Sequence, residues 1–114
     1  MNPYQTLAEK LEALTDKRLA RCNLWVYELK CGCAIGQVLP HEVRRGAQSA
    51  IDLPECSWRT VAIGTYLSGL GFTTDFVQTI QQVNDDPTYR DQTTAERYAR
   101  VLRYLKEKVN EVSQ

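Results

Sequence analysis

The chain has 114 residues, enough for one domain and hardly two, since domain sizes peak near roughly 100–150 residues. Hydrophobic residues make up 43% and charged residues 25%, the mixture of an ordinary globular protein, and fourteen basic residues cancel fourteen acidic ones. Zero net charge argues against a general nucleic-acid or membrane-surface binder, which needs a positive excess to neutralise phosphates. No apolar run approaches the ~18 residues of a membrane span, and the charged start at Glu9, Lys10 and Glu12 is unlike a signal peptide. The expected compartment is therefore the cytoplasm, where Cys22, Cys31, Cys33 and Cys56 would be reduced thiols rather than a disulfide framework.

Asn2-Pro3 is a helix start, a cap residue followed by proline at the first helical position. Tyr4, Leu7, Leu11 and Leu14 then recur at helical spacing, which predicts a helix to about Asp16. Residues 17–32 mix strand formers (Leu24 to Tyr27) with helix formers (Glu28 to Lys30) and read as irregular or helical. Cys33 to Leu39 is a short apolar stretch in which Gly36 suggests a close backbone neighbour. Beyond Pro40, Glu42 to Ile51 reads as a short helix.

Trp58 to Leu70 is the most apolar segment, with apolar side chains all round, and is expected to be the buried central helix. Gly64 and Gly69 would admit close neighbours, and Gly71 would stop the helix. Thr73 or Thr74 caps the next helix, whose inner face is expected to be Phe76, Val77, Ile80 and Val83, and Asn84-Asp85-Asp86-Pro87 ends it. Thr93-x-x-Glu96 has capping-box spacing, and Tyr98, Val101, Leu102, Leu105, Val109 and Val112 then share one stripe of a last helix. The expectation is a single all-α domain over residues 1–114, a compact array of five to six helices with little or no sheet.

Four cysteines and His41 offer zinc-ligand types, but Cys31-x-Cys33 is one tight pair with scattered partners, so the expectation is buried thiols and no metal or cofactor. Cys33 as nucleophile, His41 as base and Asp85 or Asn84 as orienter would be the residue types of a thiol enzyme. Asn84, Asp85 and Asp86 could meet a cation, yet they are also the side chains that a helix end and turn call for. Arg97, Arg100, Tyr104 and Lys108 are expected on the outer face of the last helix, where arginine and tyrosine suit an interface. Trp25 and Tyr27, with Trp58, are candidates for a binding surface or an aromatic pocket.

Cys33-Ala34-x-Gly36, followed further along by Asn84-Asp85-x-Pro87 and a terminal amphipathic helix, resembles a family of small uncharacterised domains of phages and bacteria. Members share a Cys-Ala-x-Gly segment, a helical middle and an Asn-Asp, often preceded by tryptophan, before the last helix. Val83 stands at that tryptophan position here. The resemblance implies a phage or mobile-element setting, in the host cytoplasm if phage-encoded, and no mechanism. The leading expectation is a non-enzymatic binding protein that acts through a protein partner, such as a host defence component, or as a homo-oligomer. A small-molecule or nucleotide binder with an aromatic pocket comes second, and a thiol enzyme using Cys33 and His41 third.

Overall fold

A computed structural model describes residues 2–21, 31–44 and 61–113. Each regular element among them is helical. In chain order these are α1 (Pro3–Glu12), α2 (Ala34–Val38), α3 (Val61–Gly69), α4 (Thr74–Asn84), a 3-10 turn (Pro87–Tyr89) and α5 (Thr94–Ser113), with residues 41–44 also helical. The chain is all-α, and no strand occurs among the described residues. None of the described helices is long and apolar enough to cross a membrane.

The helix starts follow local chemistry. Asn2 Oδ1 accepts from the Tyr4 amide at 2.8 Å with Pro3 in the first turn, and Thr73 Oγ1 accepts from the Phe76 amide at 3.1 Å. At α5 the capping box is complete: the Glu96 amide donates to Thr93 Oγ1 at 3.1 Å, and the Thr93 amide donates to Glu96 Oε1 at 2.9 Å. Stops are equally local. Lys17 Nζ reaches back to the carbonyls of Glu12 and Leu14 at the end of α1, a cation placed at the negative pole of a helix. Gly71, at φ 84°, closes α3: the Phe72 amide bonds Leu67 O and the Gly71 amide bonds Ser68 O, the paired bonds of a Schellman motif.

α1 runs antiparallel to α5, because Leu11 sits beside Tyr98, whose hydroxyl donates to its carbonyl, while Tyr4 sits edge-on to Tyr104. Leu7, Ala8 and Leu11 of α1 meet Tyr98, Val101 and Leu105 of α5 in one core with Phe76, Val77 and Ile80 of α4. The element at the centre is α2. Every residue from Cys31 to Leu39 is buried, and α2 packs against both α1 and α4.

The expected centre, Trp58 to Leu70, is corrected on this point. α3 buries Ile63 and Leu67, but Thr65, Ser68 and Gly69 face solvent, so it is a one-faced cover. The helix Val61–Gly69 carries no charge and is apolar on average, yet it still presents hydroxyls and a glycine outward. Gly64 and Gly69 mark no close neighbour among the described residues either: a Cβ at either would meet none of them within 4 Å. Residues 45–57 of the expected 42–51 helix and the loop after it, and Trp58 itself, lie outside the described residues.

Candidate functional site

The stripe of α4 runs Phe76, Val77, Ile80 and then, at the same spacing, Gln81 and Asn84. Two polar side chains thereby enter the core, where the sequence reading placed Val83, which is half-buried. Asn84 is 1% exposed. Its Oδ1 accepts from the Ala34 amide at 3.0 Å, at the start of α2, and its Nδ2 donates to Ala20 O at 2.9 Å and to Asp85 Oδ1. The two motifs that carry the resemblance, Cys33-Ala34-x-Gly36 and Asn84-Asp85-x-Pro87, thus meet through one carboxamide.

Around this contact other polar groups hold the irregular segment 13–21 in place. Gln37 Oε1 accepts from the Gly32 amide, and its Nε2 reaches Asp16 O. The Ala20 amide bonds Gly32 O, and the Leu19 amide bonds Thr94 O. Arg21 Nε donates to Asp85 O. Segment 13–21 has no helix to satisfy its backbone, so side chains from α2, α4 and α5 supply the partners that buried peptide groups require.

The outer-face reading of α5 is corrected here. Arg97 is 3% exposed, and its guanidinium donates to the carbonyls of Leu19, Tyr89 and Gln92. Arg100 donates to Val83 O and Asn84 O at the end of α4 and to Gln92 Oε1, and stacks 4.3 Å from the Tyr89 ring. Both arginines cap the fold rather than offer their forks to a partner. The physical reason is the one-residue offset: Arg97 precedes Tyr98 and lies four before Val101, within the buried stripe. Tyr104 is half-buried against Tyr4. Lys108 lies over the Tyr104 ring and pairs with Glu111.

Cys33 caps α2 and is wholly buried. Burial pushes its thiol up to about 11, against the backbone N–H of Gly36; Asp85 adds to the rise, while Ile35 N–H and the Gln81 amide oppose it. At neutral pH only about one molecule in ten thousand would carry the thiolate, the reactive form. Gln81 Nε2 sits 3.7 Å from Cys33 Sγ. His41 is exposed, and no hydrogen bond among the described residues joins it to Cys33. Among the described residues no hydrogen bond joins Cys33 to Asp85 either, whose Oδ1 accepts instead from Asn84 Nδ2. Cys31 is also a buried free thiol raised by burial.

The chain matches no family model, curated protein or solved structure. The site is therefore read from its own chemistry. Among the described residues no group of three His, Cys, Asp or Glu side chains could hold a metal ion. Beside the buried contact, an open cleft of about 540 Å³ is lined by Gln78, Gln81, Gln82, Asp85, Asp86 and Pro87. Trp25 and Tyr27 lie outside the described residues.

The residues that sequence reasoning missed are Gln37, Gln81, Asn84 and Arg97 as buried bond-makers. Each of the last three stands at helical spacing from the apolar residues of its own stripe, a signal that does not by itself separate burial from exposure. A polar side chain in that register is either exposed by a turn of the helix or committed to a buried partner, and the four are committed.

Proposed function

We propose that this chain is a non-enzymatic binding protein that acts through a protein partner. The observation that carries the reading is the burial of Cys33. The side chain best suited to nucleophilic chemistry is sealed and protonated, and the polar groups nearest it serve the backbone. What faces solvent beside it is a cleft of carboxamides and carboxylates, suited to recognition. The phage or mobile-element setting belongs to this proposal. It rests on the resemblance of Cys33-Ala34-x-Gly36 and Asn84-Asp85-x-Pro87 alone.

The test pairs chemistry with capture. Cys33 in the folded protein should resist iodoacetamide at neutral pH until denaturant is added. Cys33→Ala should retain whatever partner the wild type captures from a host lysate, as read by mass spectrometry. Rapid alkylation of Cys33 in the native state, with loss of the biological effect in the alanine variant, would instead make this a thiol enzyme. Light scattering on the purified chain separates a hetero-partner from self-association.

A further inference from the structure

A groove of about 310 Å³ runs between α1 and α5. One wall is α1, with Ala8, Glu9 and Glu12, and the other is α5, with Lys106, Val109 and Asn110. Val109 continues the apolar stripe of α5, yet it is only half-buried and is not among the residues packed on the described core. Glu9, Glu12, Lys106 and Asn110 are exposed. Arg103, one turn before Lys106 on the same helix face, is exposed and has no ion-pair partner among the described residues.

The charges are sorted by wall, acidic on α1 and basic on α5, and they stand level with each other. Lys106 Nζ lies 3.2 Å from Glu12 Oε2, and the two side chains remain 54% and 47% exposed, open to a second ion on the solvent side. A face of this kind is complementary to itself under one symmetry operation. A two-fold axis running along the groove carries the α1 of one copy onto the α5 of another. Glu12 then faces Lys106 of the second copy and Lys106 faces its Glu12, so that four charges alternate around one level, a network rather than an isolated pair. Ala8 and Val109 close on each other beneath them, and the four helices alternate in direction as in an antiparallel bundle. An axis across the groove would instead set α1 on α1, with Glu9 and Glu12 against like charges.

We propose that a second copy of this chain docks in the groove, forming a two-fold homodimer through α1 and α5. The contact engages fewer side chains than the roughly 20–30 a side of a standard interface, so the dimer is weak and reverses on dilution. This inference stands apart from the partner-binding reading, which concerns a different molecule.

The experiment follows the mass of the full chain by sedimentation over a dilution series reaching about 1 mM, where even a weak contact is half-formed. Wild type should pass from monomer to dimer. Glu9→Lys with Glu12→Lys makes both walls positive, and Arg103→Glu with Lys106→Glu makes both negative. Each variant should keep the wild-type circular dichroism and dimerise at least about tenfold more weakly, the scale of several exposed ion pairs lost together. An equimolar mixture of the two variants should regain the dimer, because every positive wall then faces a negative one. A wild type that is monomeric throughout the series overturns the proposal. So do variants that dimerise as well as wild type, or a mixture that does not recover. If either variant fails to fold, carbodiimide crosslinking of mixed unlabelled and nitrogen-15-labelled wild type decides. An amide between Glu12 of one isotope and Lys106 of the other is expected, and its absence sinks the dimer. Lysate capture repeated with both variants reports on the partner reading alone.

Discussion

Asn84 does in one side chain what a strand would do with several peptide groups: it satisfies Ala34 N–H and Ala20 O at once, far apart in sequence and both buried. Asn84→Ala leaves both without partners. At about 1–3 kcal/mol for each stranded group, a loss of roughly 2–5 kcal/mol is expected, read by urea unfolding. A loss below about 0.5 kcal/mol would show that water replaces the amide there. Cys33 makes a pH prediction of definite sign. Its thiol is raised on folding, so the stability it contributes is complete below the ordinary thiol range and is lost as pH climbs through about 11. A two-unit rise corresponds to about 2–3 kcal/mol at most. Unfolding free energy should fall more steeply between pH 9 and about 11 in the wild type than in Cys33→Ala. Parallel curves would mean that the thiol titrates freely.

At the scale of elements, α3 separates two uses of glycine. Gly71 holds φ 84° and closes the helix, so Gly71→Ala should cost about 1–2 kcal/mol, a backbone cost because its Cβ would meet none of the described residues within 4 Å. Gly64 sits inside the same helix with no described residue within 4 Å of its Cβ position, and Gly64→Ala should stabilise by about 0.5–1 kcal/mol through helix propensity. Opposite signs from one substitution type in one helix, read by thermal melts, check the description of α3. Its Leu67 is nonetheless in the core, and Leu67→Ala should cost about 2–5 kcal/mol. The start of α5 depends on the Thr93–Glu96 box, whose carboxyl is held below the usual range by the Thr93 amide. That contribution is present above the ordinary glutamate range and fades as pH falls below it.

For the whole molecule the decisive fact is that helices built on ordinary stripes are tied together by polar side chains crossing between them. Arg100 joins the end of α4 to α5 and Gln92, and Tyr104 supports Tyr4, which in turn packs edge-on against Phe76. The pair Arg100→Glu with Tyr104→Ala should therefore lower stability by about 2–4 kcal/mol, visible in the melting temperature. A variant that kept its stability would return this face to the surface and to a role in contacts with other molecules.

The helix starts and the stop of α3 were legible because they are decided within four or five residues, whereas α1 ends at Glu12 and not near Asp16 as the leucine spacing suggested. Asn2-Pro3, Thr73, Gly71 and the Thr93–Glu96 box each satisfy backbone groups one turn away, so neighbouring sequence contains the whole interaction. The all-α class followed from periodicity for the same reason. Which helix lies at the centre was not legible: α2 has only five residues and shows no full period, and its burial comes from the elements that surround it. Nor was the fate of Arg97, Arg100, Gln81 and Asn84. A polar side chain on a helix reads the same whether it meets water or a distant carbonyl. Only the folded chain decides, because the partners of Asn84 and Arg97 lie dozens of residues away.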